Sequence, residues 1–174
     1  MDANKTIPII ELREDTGHKQ IYAKWSPITY TIRFNSNYGA ITTIDDTHTY
    51  NVTKNLRTNT FTRTGYTFAG WARSSGGNVE FSNSQSVLNL TSTNNAVINL
   101  YAKWNRITYT ISYNANGGSG SMSSSIHTYD VAKNLNANAF TRVGYTFAGW
   151  ARSSGGNVEF SNSQSILNLT STNN

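Results

Sequence analysis

The sequence has no cysteine, only two prolines, and charged side chains at 13% of its positions. Without thiols there is no disulfide framework, no thiolate metal site and no cysteine nucleophile. No apolar run approaches the ~20 residues that a membrane-spanning helix needs. The opening MDANKTIPII carries no basic region, apolar region or cleavage site of a secretory leader. These absences lead us to expect a soluble protein, or a soluble piece of one, with no membrane span.

Acidic residues are scarce, 9 against 14 basic ones, for a formal charge of +5. The basic residues are scattered, so there is no cationic stripe interleaved with base-stacking aromatics, and nucleic acid is not an expected partner. With so little charge, the water-facing surface must be built from Asn, Thr, Ser and Gly. Aromatic residues make up 12% of the chain and recur at regular places, which marks a folded chain rather than a solvated tail.

That regularity is an internal repeat. Trp25 and Trp104, Tyr30 and Tyr109, His48 and His127, Phe61 and Phe140, and Trp71 and Trp150 are each 79 residues apart, without a gap. The stretch GYTFAGWARSSGGNVEFSNSQSVLNLTSTNN at 65–95 returns at 144–174 with Val87 changed to Ile166 and nothing else. The front halves have drifted: NSNYGAITTIDDTHTY at 35–50 stands against NANGGSGSMSSSIHTY at 114–129. A period of this kind is the mark of a tandem array.

Within a unit, Ile28, Tyr30, Ile32 and Phe34 alternate with Thr29, Thr31 and Arg33, the period of a half-buried strand. Asn116-Gly117 is a hairpin-turn signal, matched by the weaker Asn37-Tyr38, and residues 37–47 read as a loop. HTYNV and HTYDV read as return strands, and VAKNL at 131–135 and SVLNL as helical turns. GYTFAGWA is expected to place Tyr66, Phe68 and Gly70 on one face and Thr67, Ala69 and Trp71 on the other. AVINLYAKW at 96–104 reads as the closing strand. Only Asn105-Arg106 then precede the next unit, too short a joint for a flexible linker.

In combination, GYTFAGWA followed by LYAKW, preceded by YTIRFN or YTISYNANGG, resembles the Listeria–Bacteroides repeat, the family that includes the B repeat of internalin B. The resemblance covers nearly all of residues 26–174. It implies an α+β, mostly β fold of small tandem β-grasp-like modules in an elongated arrangement, in a bacterial surface protein. It gives Tyr66, Phe68, Gly70, Trp71, Tyr101 and Trp104, with Tyr145, Phe147, Gly149 and Trp150, structural motif positions. No catalytic residue and no cofactor comes with it. The unit here is longer than is usual in the family.

A repeat that is itself a catalyst should show its acid, base or nucleophile in both copies. Asp45-Asp46 has Ser124-Ser125 as its counterpart, so a solvated loop is the simpler reading. His48 and His127 correspond but have no second ligand at metal-site spacing, and His18 stands alone. GGSG at 117–120 opens no phosphate-binding helix. The Asn-x-Thr sites at Asn4, Asn51, Asn89 and Asn168 are expected by chance in a chain this rich in both residues. Trp71 and Trp150, with Arg73 and Arg152, are the candidates for ligand or inter-repeat contact, because exposed Trp platforms bind sugars and proteins.

The division expected is a tail at 1–25 ending in the closing strand of a degenerate earlier repeat, a first module at 26–104 and a second at 105–174 lacking its last strand. IPIIEL at 7–12 stands roughly where VLNL would. Losing the counterparts of Ile98, Leu100 and Trp104, at roughly 1.5–3 kcal/mol each, removes on the order of 5 kcal/mol. Three readings follow: the unit begins with the pentapeptide (21–95 and 100–174), the second module is frayed, or IYAKW at 21–25 fills the place in another chain. The function expected is a non-enzymatic stalk or adhesion segment at the bacterial cell surface, binding a host or neighbouring-cell protein or glycan. A carbohydrate or cell-wall binding module using Trp71 and Trp150 is the alternative, and head-to-tail self-association through residues 19–25 a further possibility.

Overall fold

A computed structural model describes Gly17 and residues 19–172. The readings placed on IPIIEL, Asn4 and His18 lie outside the described residues. The elements, in chain order, are β1 (Thr29–Asn35), β2 (Thr43–Thr49), β3 (Lys54–Asn55), β4 (Tyr66–Ala72), β5 (Ser86–Val87), β6 (Val97–Arg106), β7 (Thr108–Ile111), β8 (Ser125–Thr128), β9 (Lys133–Asn134) and β10 (Ser165–Ile166). Among the described residues there is no helix, which corrects the expected α+β class to a mostly β one. VAKNL contributes β9, which pairs with β10 from SILNL, and SVLNL contributes β5, which pairs with β3, so the helical turns read into both are two-residue strands.

In the first module the sheet order is β2-β1-β6-β4. β1 and β2 are antiparallel, β6 runs parallel to β1 with Phe34 opposite Leu100, and β4 is antiparallel to β6 with Phe68 opposite Trp104. The closing strand is therefore a central one. Its alternation puts Leu100 and Ala102 in the core, both wholly buried, beside Tyr30, Ile32, Phe34, Leu56 and Trp71. β2 begins at Thr43, so the second half of the expected loop at 37–47 is strand. Asp45 and Asp46 lie on it, Asp45 in a two-pronged pair with Arg33 at 2.8 Å and Asp46 2.6 Å from Lys54 Nζ.

One irregularity reverses the expected alternation on β4. The register slips between Phe68 and Gly70, so three residues of β4 span two of β6, a bulge that turns the following side chain over. Trp71 thereby joins Phe68 on the core side, their rings 4.8 Å apart. Gly70 sits at φ 142, and a Cβ there would stand 2.7 Å from the carbonyl oxygen of Phe81. Only glycine lets β4 approach residue 81 this closely.

The second module holds the same letters in a different state. β7 pairs with β8 alone, and residues 145–151, identical to β4, form no strand beyond a single bridge from Trp150 to Phe160. Ala72 is completely buried while its counterpart Ala151 is exposed. Identical sequence rules out local propensity as the cause. The difference is the central strand, which β6 supplies to the first module and which the described residues do not supply to the second. The unit phased to begin with the pentapeptide is also not what forms: residues 19–28 are irregular, and Ile21 and Trp25 are 95% and 90% exposed.

Candidate functional site

Trp71 was the foremost candidate for surface contact, and its position corrects that reading. It is 1% exposed, wedged between Phe34, Phe61 and Phe68 at ring distances of 4.8, 6.2 and 4.8 Å. Burying an indole this way stabilises the fold through area and edge-to-face contact, and it leaves no platform for a sugar. Trp150 is half-buried against Tyr113, Phe140 and Phe147. Arg73 and Arg152 do stand in solvent, each beside a glutamate 7 residues further along the chain, Glu80 at 3.6 Å and Glu159 at 3.3 Å, and each over a phenylalanine ring. The arginine of each copy is therefore exposed while its tryptophan is buried or half-buried, and the two do not make an open aromatic platform.

The remaining motif residues divide by position. Trp104 donates from Nε1 to the Ser36 carbonyl at 3.0 Å and packs edge-on to Phe68, and half-buried Tyr101 lies on β6 opposite Asn35 and Ala72. Gly149 repeats the geometry of Gly70 at φ 143. Tyr145 and Phe147 are exposed, at 66% and 41%.

His48 and His127 are both buried, stacked on Tyr30 and Tyr109. Burial holds both imidazoles below their ordinary pKa, with Asp46 opposing the shift at His48 and Lys133 adding to it at His127. Each is a buried residue whose surroundings disfavour the charged imidazolium. No group of three or more His, Asp or Glu side chains converges among the described residues, and no helix there is long and apolar enough to cross a membrane.

Sequence reasoning missed the place where the two modules meet. β6 ends at Arg106 and β7 begins at Thr108, so only Ile107 separates them, and it is buried. Its amide donates to the Gly65 carbonyl at 3.0 Å, and its carbonyl accepts from the Tyr129 amide at 3.0 Å. The Tyr66 hydroxyl donates to Asp130 Oδ2 at 2.8 Å, and the Tyr66 and Tyr129 rings meet edge to face at 6.0 Å. Tyr129 also lies flat over Gly65, where a Cβ would collide with its ring. Arg63 stacks on Tyr66, its guanidinium 3.6 Å from the ring centre. Arg142 over Tyr145 repeats that stack, so the Arg–Tyr pair belongs to every module and the contacts to Tyr129 and Asp130 to the joint. Asp130 also accepts from Asn168 Nδ2, and these two hydrogen bonds, Asn168 first, hold its carboxyl below the usual range. An open hollow at this place is lined by Arg63, Tyr66, Trp104, Asn105, Arg106 and Thr128. The one available signal was the absence of linker residues.

The model of the Listeria-Bacteroides repeat domain matches twice, over residues 30–103 and 109–172. The chain belongs to the Listeria-Bacteroides repeat family. No curated protein and no solved structure matches it. Listeria-Bacteroides repeats occur in bacterial surface proteins and are a non-enzymatic domain type. The two matched spans meet at residues 104–108, so the boundary between the repeats falls at the joint built by Gly65, Tyr66, Tyr129 and Asp130.

Proposed function

We propose that this chain is a spacer segment of a bacterial cell-surface protein, outside the cell, in which β-grasp-like modules are strung in an elongated array that holds an adhesive or protein-binding region away from the surface. The observation that carries the reading is the joint. A spacer has to transmit orientation, and here one buried residue, two backbone hydrogen bonds and the Tyr66–Asp130 bond replace a linker. The β-grasp reading rests on the sheet order, with an N-terminal hairpin and a last strand parallel to the first; the segment carrying Leu56 and Phe61 covers the face where that fold ordinarily places a helix. The partner expected is a protein or glycan on a host or neighbouring cell.

A carbohydrate or cell-wall binding role for Trp71 and Trp150 would need both rings open to solvent, and burial speaks against it. Small-angle scattering at low concentration tests the spacer reading. An elongated particle about two modules long is the expected profile, and a compact globule would contradict it. A glycan array with Trp71→Ala and Trp150→Ala tests the other role, for which specific binding lost in both variants would be required.

A further inference from the structure

The open hollow at the joint, about 620 Å³ in volume, plays no part in spacing the modules. That volume lies within the ~300–1,000 Å³ range of small-ligand sites. Its walls, however, are polar or amphipathic: the guanidiniums of Arg63 and Arg106, the amide of Asn105, the phenol of Tyr66, the indole of Trp104 and the hydroxyl of Thr128. Such a lining suits a ligand with many hydrogen-bonding groups and one apolar face, which describes a sugar ring.

The aromatic walls are fixed before any ligand arrives. Trp104 is held by the hydrogen bond from Nε1 to the Ser36 carbonyl at 3.0 Å and by its edge contact with Phe68 at 5.7 Å, and it stays only half-buried. Tyr66 is held by Asp130 at 2.8 Å. Arg63 lies against two rings, its guanidinium 3.6 Å from the centre of Tyr66 and 4.5 Å from that of Tyr38, and its Nε is buried with no hydrogen-bond partner. Groups held in this way lose little further freedom on binding.

Arg106 differs from these. It ends β6, is exposed, and has no ion-pair partner among the described residues. Asp130 attracts both Arg106 and Arg63, yet one carboxylate against two guanidiniums leaves a positive charge over. The planar fork of an arginine sets two parallel N–H groups against the two oxygens of a carboxylate. We propose that the hollow between the repeats binds a sugar carrying a carboxylate, a uronic- or sialic-acid residue of a glycan, with its ring against Trp104 and Tyr66 and its carboxylate on Arg106. Asn105 and Thr128 supply hydrogen bonds to its hydroxyls. One free guanidinium favours a carboxylated sugar over a densely sulfated chain, which draws its affinity from a row of basic side chains that this sequence scatters. Thr128 belongs to one repeat and Arg63, Tyr66 and Trp104 to the other, so the site exists only where two repeats are joined.

Nuclear magnetic resonance titration of the 174-residue chain tests this with a glucuronate-containing hexasaccharide and, separately, with sialyllactose. Saturable shifts of the amides at residues 63–66, 104–106 and 128 are expected with at least one of them, and which one binds names the source of the carboxylate. Reducing the carboxylate of that probe to an alcohol should weaken binding roughly tenfold or more, and so should Arg106→Gln, with the amide signals away from the joint unmoved. No shift with either probe, equal binding of the reduced probe, binding that survives Arg106→Gln, or tighter binding of a heparin hexasaccharide than of either probe would overturn the proposal. The spacer reading is tested apart from it, because an elongated scattering profile from a chain that binds neither probe removes the site and leaves the spacer.

Discussion

The Tyr66 hydroxyl donates to Asp130 across the boundary between two repeats, at 2.8 Å and 64 residues apart in sequence. The same tyrosine is stacked under Arg63 of its own module, so one side chain links the edge strand β4 of one repeat to the turn after β8 of the next. The spacer reading depends on this joint.

Gly65 and Tyr129 should be energetically coupled. Gly65→Ala costs about 1–2 kcal/mol from its positive φ of 75 alone, and more because the new methyl meets the Tyr129 ring. In a Tyr129→Ala background the second part should vanish, giving a coupling of about 1 kcal/mol or more in a double-mutant cycle read by urea unfolding. Gly144→Ala, with a φ of 78 but nothing near its Cβ, should show the strain cost alone and no coupling to Tyr129.

Trp71→Ala and Trp150→Ala should differ although their neighbouring sequence is identical. Trp71 is wholly buried, and its truncation should cost about 3–5 kcal/mol in the first module. Trp150 is only half-buried, so its truncation should cost clearly less. Urea unfolding followed through the amide signals of each module separately measures both; equal costs would contradict the difference in packing.

Acid should weaken the fold in two steps. His48 and His127 have folded-state pKa values below the unfolded 6.5, so the folded state resists protonation. Their stabilisation is complete above pH 6.5 and is lost as pH falls through the depressed values. Asp130 is lowered from 3.8, so its contribution is present above 3.8 and lost only at lower pH. Thermal unfolding from pH 8 to 3 should be flat above 6.5 and fall below it, with His48→Gln flattening part of the first step. A midpoint that rises on acidification to pH 5 would contradict the assignment of both histidines as buried groups that resist protonation.

Gly70→Ala should disrupt the first module even though β4 is otherwise a regular strand. The added Cβ would meet Val79 and the Phe81 carbonyl, and relieving that contact requires undoing the bulge that turns Trp71 inward. Loss of the amide protection of Trp71 and Phe81, which bond to each other at 2.8 and 3.1 Å, is the expected readout in hydrogen exchange.

Much of this fold was legible in the sequence. The alternation of Tyr30, Ile32 and Phe34 gave β1 its buried face, and the period of 79 gave the two modules and their near-linkerless joint. Trp71 was misread because strict alternation cannot register an extra residue, and the only trace of the bulge was Gly70, one glycine among 13. The helical readings of VAKNL and SVLNL failed because each makes a two-residue pairing across about 30 residues of intervening chain, VAKNL with Ser165–Ile166 and SVLNL with Lys54–Asn55, a non-local contact that no window of sequence contains. The site at Gly65, Tyr66, Tyr129 and Asp130 was invisible for the same reason, since its members come from two repeats.

The most direct test of the spacer reading is a distance measurement across the joint. Thr47 and Ile126 occupy equivalent exposed places on β2 and β8, and the absence of cysteine lets Thr47→Cys and Ile126→Cys carry the only two spin labels. Pulsed dipolar spectroscopy on the doubly labelled chain, diluted in excess unlabelled chain, should give a single narrow distance distribution that broadens when Gly65→Ala and Tyr66→Phe are combined. A broad distribution in the unaltered joint would mean that the modules swivel freely, and it would contradict the account.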